Sequence, residues 1–260
     1  MTSLPSLLAV TLAVATTGFV LLWIVSLVRR DASIVDPCWG AGFVAVVWAA
    51  WILTDDKTGR GLLLAALTTI WGLRLSLYLW RRNRGHGEDR RYAAMRAKHG
   101  GNFAWVSLFT VFLLQAGLLW FISWPVQVAI QSASHKPFGS WDAVGVAVWG
   151  VGMFFETVGD WQLARFKARS DSSGRVLDTG LWRYTRHPNY FGDFCVWWGL
   201  YVVACQAGAY WTILSPVLMS FLLLKVSGVS LLESDIQARR PAYSDYIRRT
   251  SAFFPRPPRD

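Results

Sequence analysis

Cysteine and histidine are scarce in this 260-residue chain, with three of the first and four of the second. Cys38, Cys195 and Cys205 sit in or beside apolar runs, with no paired spacing and no histidine cluster. That argues against a disulfide framework and a metal site, and leaves them as small core residues. No G-x-G-x-x-G follows a strand-like segment and no Walker loop is present, which excludes a Rossmann dinucleotide domain. H-E-x-x-H and any Ser/His/Asp constellation are also missing. Without repeats, Gly/Ser linkers or low-complexity stretches, residues 1–260 are expected to form a single integral-membrane domain. No basic residue precedes the first apolar run, as a secretory signal would normally require, so that run is expected to be a retained span.

What is abundant is apolar surface and positive charge. The chain is 53% hydrophobic, carries a net charge of +10, and holds 16 tryptophans, many near the ends of apolar runs. Apolar runs alternating with charged ones are the pattern of a polytopic membrane protein, with tryptophans at the lipid–water interfaces. Seven segments approach the roughly 20 residues a span needs: 4–28, 36–54, 61–80, 103–130, 141–161, 191–208 and 210–232. The second opens on the unusual first turn Ser33-Ile-Val-Asp36-Pro37-Cys-Trp-Gly40, and Pro125 is expected to kink or end the fourth. Only Ala207-Gly208-Ala209 joins the sixth to the seventh, which makes them a tight hairpin.

Basic residues fix the orientation. The loops after the first, third, fifth and seventh segments carry two, seven, six and six of them, 21 in all, and the opposite loops only Lys57, Arg60 and Lys136. The positive-inside rule then predicts an all-α bundle of seven spans, N-terminus outside and C-terminus cytoplasmic. A basic charge spread over one membrane face, with no recognisable reader fold, argues against nucleic acid and for the lipid bilayer as partner.

That rule does not account for the residues mixed into the basic loops. Pro188 suits the first turn of a helix, because its missing N–H would be unpaired there. The helix it opens would aim its N–H groups at a loop holding Arg183, Arg186 and His187, an arrangement suited to phosphate. Positive residues anchoring a span give the alternative reading. Arg74 lies inside the third span, four residues before Tyr78 and on the same helical face. It either snorkels to the interface or lines a polar cavity. Asn83, Arg84, Gly85 and Gly87 follow, a loop suited to wrapping a phosphorylated ligand or simply solvated. On the fifth span Glu156 and Asp160 are spaced i,i+4 near its expected cytoplasmic end. They either pair with Arg165 or Lys167, or accept bonds from a ligand's hydroxyl or amide. Asn189 and Asp193 repeat that spacing on the sixth, and the seventh gathers Lys225, Ser227, Ser230, Glu233 and Asp235. The tail from Arg239 through Tyr243 and Tyr246 is amphipathic, and serves either a ligand or the membrane surface. Four helix ends of this kind point to a large, anionic, hydrogen-bonding ligand entering from the cytoplasm.

The run Gly180-Leu-Trp-Arg183-Tyr184-Thr-Arg186-His187-Pro188-Asn189-Tyr190-Phe-Gly-Asp193 resembles the signature of the steroid 5-alpha-reductase C-terminal family. Its little-characterised bacterial members also share Val35-Asp36-Pro37-x-Trp39-Gly40, Arg82-Asn83, Glu88-Asp89-x-Arg91-Tyr92 and Arg240-Pro-x-Tyr243-x-x-Tyr246. The similarity covers about residues 30–256. It implies a seven-helix bundle in a bacterial cell membrane, with NADPH bound from the cytoplasm and a lipophilic, enone-containing substrate. The resemblance implies that Asn189 and Asp193 hold the nicotinamide end, with Asp where the family has Glu, and that Asn83, Arg84 and Asp160 also serve the cofactor. Arg74, Arg91, Tyr92, Glu156 and Lys167 are candidate cofactor residues in the same scheme. So are Arg183, Tyr184, Arg186, His187 and Tyr190, and beyond them Glu233, Arg239 and Tyr243. The Gln-Glu pair with which the reductases grip a ketone is absent; Asp36 and Tyr78 are the candidate catalytic acids. Isoprenylcysteine and phospholipid methyltransferases share an R-H-P-x-Y turn, so S-adenosylmethionine chemistry on a lipid is the alternative. A non-enzymatic lipid-binding protein is the third reading.

Overall fold

In a computed structural model of the protein, residues 2–132, 136–172, 174–226 and 243–259 are described. All their regular structure is helical, with no strand among the described residues. Ser227, Ser230, Glu233, Asp235, Arg239 and Arg240 lie outside them. Among the described residues five helical stretches are long and apolar enough to cross a membrane: Leu4–Arg29, Ala32–Leu53, Gly59–Asn83, Arg90–Ile122 and Ser140–Lys167. Of the two other segments expected to span, one is the 19-residue helix Pro188–Gln206 and the other the shorter apolar stretch Tyr210–Val226. Leu4–Arg29 has a mean hydropathy of 2.3 with only 17% of its most apolar window buried, so most of its surface is left for lipid.

The chain forms two compact units. The first comprises Met1–Phe138 and Ala204–Thr212. Its α1 (Leu4–Arg29) is capped by Ser3, and Arg30 ends it in the left-handed conformation. The unusual start of the second segment is a single 3-10 turn, Ala32–Ile34, capped by Asp31, that feeds α2 (Val35–Leu53). α2 packs along α3 (Gly59–Asn83) because Gly40 and Gly72 bring their backbones together. A methyl group on Gly40 would lie 2.1 Å from the Gly72 carbonyl oxygen. Fully buried Phe43 and Trp71 fill the space beside them, their rings edge to face at 5.4 Å.

The expected fourth span starts earlier than its apolar run does. Asp89 caps α4 (Arg90–His99), which leads through α5 (Phe103–Ser107) and a π-helical stretch, Leu108–Leu113, into α6 (Leu114–Ile122). The break anticipated at Pro125 is present: α6 ends before Ser123, and α7 (Trp124–Gln131) restarts with the proline in its first turn. Gln127, fully buried there, accepts from Thr11 Oγ1 at 2.6 Å and donates to Ser123 Oγ at 2.7 Å. Polar groups inside a span are paired in this way because lipid offers them no partner.

The second unit comprises Gly139–Val203 and Ile213–Asp260. Its long α8 (Ser140–Lys167) runs antiparallel to α9 (Pro188–Gln206), with glycines seven residues apart on both. Gly145 meets Gly199, Gly152 meets Gly192, and Gly159 meets Pro188 and Asn189. A methyl group on Gly152 would stand 2.5 Å from the Gly192 carbonyl oxygen. Repeats of seven keep small residues on one seam, and small residues let membrane helices approach backbone to backbone. Pro188 opens α9, as its missing N–H favours. The turn after α9 has Gly208 at φ +94°, a conformation that suits glycine. Beyond it come the 3-10 turn Tyr210–Ile213 and α10 (Leu214–Phe221), which continues as a π-helical stretch, Leu222–Val226. The last helix is α11 (Tyr243–Arg249).

The glycine seam predicts opposite outcomes for two neighbouring substitutions. Gly152→Ala overpacks it and should cost about 1–3 kcal/mol. Gly150→Ala, whose added methyl meets nothing within 4 Å, should be neutral or gain up to about 1 kcal/mol of helix propensity. Thermal unfolding of both variants in one detergent checks this; equal midpoints would remove the seam from the account.

Candidate functional site

In the second unit the R-H-P turn is held from two sides. On one side Gly180 sits at φ +62°, directly beneath the Gln162 side chain, whose Oε1 accepts from Leu181 N at 3.0 Å. Trp182 Nε1 donates to the Gly159 carbonyl at 3.1 Å, tying the turn to α8. On the other side the C-terminal tail folds back over it. Arg186 is 7% exposed, and its Nη1 donates to the carbonyls of Ile247 at 3.1 Å and Thr250 at 2.6 Å. Its backbone N–H donates to Ser251 O at 2.9 Å, Thr185 Oγ1 donates to Phe253 O at 2.7 Å, and Arg256 N donates to Tyr184 O at 2.9 Å. Tyr246 Oη donates to Trp182 O. Phe253 and Phe254 complete the strap, packing edge to face on Phe191 and Phe194.

This divides the anion cluster expected from the sequence. Arg183 and Tyr184 are exposed, Arg186 is turned inward to tail carbonyls, and buried His187 is stacked on Tyr190 at 5.6 Å. The carboxylate pairs resolve as well. Asp160, 3% exposed, accepts from Asn189 Nδ2 at 3.1 Å, so its hydrogen-bond partner here is an amide on α9. Glu156 is equally buried, at the level of Gly192, while Asp193 is half-buried one turn into α9. Lys167 is exposed at the end of α8, and Tyr243 is buried against Tyr246. Glu233 and Arg239 lie outside the described residues.

The first unit holds a second polar cluster, at the starts of α2 and α4. Asp36 Oδ2 pairs with Arg91 Nη2 at 2.8 Å, and Asp36 Oδ1 accepts from Tyr92 Oη at 2.8 Å. Tyr78 belongs elsewhere: its ring is flanked by the guanidinium groups of Arg74 at 5.5 Å and Arg82 at 6.0 Å. The phenol that joins Asp36 is therefore Tyr92, which the sequence had grouped with the cofactor residues. Asp36 thus receives both a guanidinium and a phenol hydroxyl, one on each carboxyl oxygen. Sequence reasoning missed the pairing of positions 36 and 92, 56 residues apart.

The loop before α4 is latched to the turn before α2. Glu88 takes a forked pair of bonds from Arg96, 2.8 and 2.9 Å, and accepts from Ala32 N at 2.8 Å. Asp89 N donates to Ser33 Oγ at 3.3 Å, and Asp89 Oδ1 accepts from both Arg91 N and Arg91 Nε at 2.9 Å. Arg96 lies over the Phe103 ring at 4.2 Å. Arg82 donates to Asn83 Oδ1 at 3.1 Å, and Arg84 lies exposed over Trp80. The Arg96 bonds hold the Glu88 carboxyl below its ordinary value, with the Ala32 N–H assisting against partial burial. For Asp89 partial burial pulls upward, and the Arg91 bonds outweigh it. Among the described residues no three His, Cys, Asp or Glu side chains are grouped to hold a metal ion.

Comparison with known proteins places this geometry in context. A family model described as a protein of unknown function, DUF1295, matches residues 22–250. An uncharacterised protein of Schizosaccharomyces pombe is 26% identical over 271 residues, covering 90% of this chain and 76% of the relative. No solved structure matches.

The latch predicts a pH response. Both carboxyls titrate below their ordinary values of 4.5 and 3.8 when folded. Their stabilisation is therefore present above those values and lost as pH falls through the lowered folded ones. Cleavage of the 84–89 loop by an acid-active protease should rise as pH falls below the ordinary values of 4.5 and 3.8 and through the lowered folded ones. Glu88→Gln should expose the loop already at neutral pH, at a cost of about 1 kcal/mol. Cleavage in the variant that matches wild type throughout would contradict the latch.

Proposed function

The chain belongs to the DUF1295 family, and from that premise we propose that it is a membrane-embedded, NADPH-dependent reductase. Its substrate would be a lipophilic molecule with a carbon–carbon double bond conjugated to a carbonyl. The single observation that carries this reading is the Tyr92–Asp36–Arg91 group: a buried phenol whose hydroxyl is held by a carboxylate, itself neutralised by a guanidinium. Reduction of an enone develops negative charge on the carbonyl oxygen, which a positioned O–H stabilises. Tyr92 turns its proton from Asp36 to that oxygen, and Arg91 keeps the Asp36 charge compensated when it does. NADPH, when bound, supplies the hydride for the carbon beta to the carbonyl.

The cofactor half of the proposal rests on the resemblance, and the residues of the second unit fit it. Asn189 uses one amide N–H on Asp160 and one lone pair on Tyr190 N. It keeps one N–H and one lone pair, the complement of a carboxamide such as that of nicotinamide. Exposed Arg183 is the phosphate partner of that unit, while Arg186 acts by positioning the turn. The topology in this reading is the seven-span bundle, N-terminus outside, with the cofactor residues on the cytoplasmic side of a bacterial cell membrane.

A second reading, methyl transfer from S-adenosylmethionine to a lipid, gains from one observation. Arg186 is occupied by tail carbonyls, which removes one of the arginines that argued for a phosphate-bearing cofactor. Nucleotide-dependent thermal stability separates the two. NADPH at a hundred times its Kd should stabilise the protein in detergent by about 2.7 kcal/mol, with NADH and S-adenosylmethionine well behind. Asn189→Ala should weaken NADPH affinity about tenfold, the loss expected for one or two hydrogen bonds, and so about halve that stabilisation at the same concentration. Stabilisation by the methyl donor alone would install the second reading, and no response to any of the three would overturn both.

A further inference from the structure

The strap that closes over the R-H-P turn also forms a cavity of about 210 Å³ within the second unit. Five arginines line it: Arg186, Arg248, Arg249, Arg256 and Arg259. Its rim is closed by the backbone, where Arg259 N donates to Arg249 O at 2.8 Å. The positive charge is only partly matched nearby. Arg248 is paired with Asp245, and Arg249 stands 3.8 Å from Asp178. Arg256 and Arg259 have no carboxylate partner among the described residues, and both are exposed. Ligand pockets for drug-sized molecules run from about 300 Å³ upward and are mostly apolar. This cavity is smaller and its lining is mainly basic, so it suits a single compact anionic group rather than a whole dinucleotide. Guanidinium forks match phosphate oxygens in charge and geometry.

We propose that this cavity is a phosphate-binding site in which Arg256 and Arg259 grip the phosphate, distinct from the nucleotide residues discussed above and independent of the reductase reading. The phosphate comes either from the headgroup of an anionic phospholipid or from a soluble phosphate. Either would fasten the tail whose carbonyls hold Arg186, and so reinforce the turn that presents His187 and Asn189.

The test uses the full-length protein in a neutral detergent. Binding of inorganic phosphate, short-chain phosphatidic acid and short-chain phosphatidylcholine is measured for wild type and for R256Q/R259Q, R256K/R259K and R29Q/R30Q. The first variant should bind at least about tenfold more weakly, the lysine variant should keep most of the affinity, and high salt should weaken all binding. R29Q/R30Q removes the same charge elsewhere and should bind as wild type does. Near-ultraviolet circular dichroism of R256Q/R259Q should match wild type, since both side chains are exposed. Binding of inorganic phosphate supports a soluble source, and binding of phosphatidic acid alone supports the headgroup. Absence of binding to either probe, or an equal loss in R29Q/R30Q, would overturn the site.

Discussion

A buried guanidinium must have its donors matched, and the second unit is arranged around that requirement at Arg186. In a site closed to water, each unmet N–H would cost a few kcal/mol. The chain meets the demand with main-chain carbonyls of its own C-terminal tail, at Ile247 and Thr250. The consequence reaches beyond one side chain. Once the tail lies there, Thr185, Tyr184 and Trp182 find tail partners too. The Phe191–Phe194–Phe253–Phe254 group then packs as a single aromatic cluster. The turn that delivers His187, Pro188 and Asn189 to the start of α9 is therefore fixed from outside. Gly159, Gly192 and their seam fix it from within.

The first unit solves a comparable problem with ion pairs. Glu88 holds Arg96, and Asp89 and Asp36 share Arg91. The Asp36–Arg91 pair, with the bonds from Ala32 N to Glu88 and from Asp89 N to Ser33 Oγ, attaches the start of α4 to the start of α2. Because Asp36 is neutralised by Arg91, the Tyr92 hydroxyl can leave it without stranding a charge. In the proposed reading the acid–base role therefore falls to this tyrosine, while the Tyr78 ring is flanked by two guanidinium groups.

Much of this architecture is legible in the sequence, and the rest is not for identifiable reasons. The apolar runs, Pro188 as a helix opener and the break at Pro125 follow from local chemistry, which short stretches of chain fully contain. The i,i+4 spacing places Glu156 with Asp160 and Asn189 with Asp193, because one helix fixes its own faces. It does not say which face meets which, so the Asn189–Asp160 bond between helices stayed out of reach. The same holds for Tyr92 with Asp36. The direction of Arg186 is harder still, since composition treats an arginine in a basic loop as outward-facing. Glycines seven apart on α8 and α9 are a signal in the sequence, but among 22 glycines spacing alone does not distinguish those that meet across a seam.

The proposed reaction transfers a hydride to a lipophilic substrate with Tyr92 as proton donor. The most direct measurement supplies the purified protein with a lipid extract and NADPH deuterated on the transferable position of its nicotinamide. Mass spectrometry then follows the label. Deuterium should appear in a lipophilic product whose added mass corresponds to one deuteride and one proton, and Tyr92→Phe should slow its appearance by about 10²-fold or more. Label that remains wholly in the nucleotide, while a methyl group from S-adenosylmethionine reaches the lipid, would contradict it.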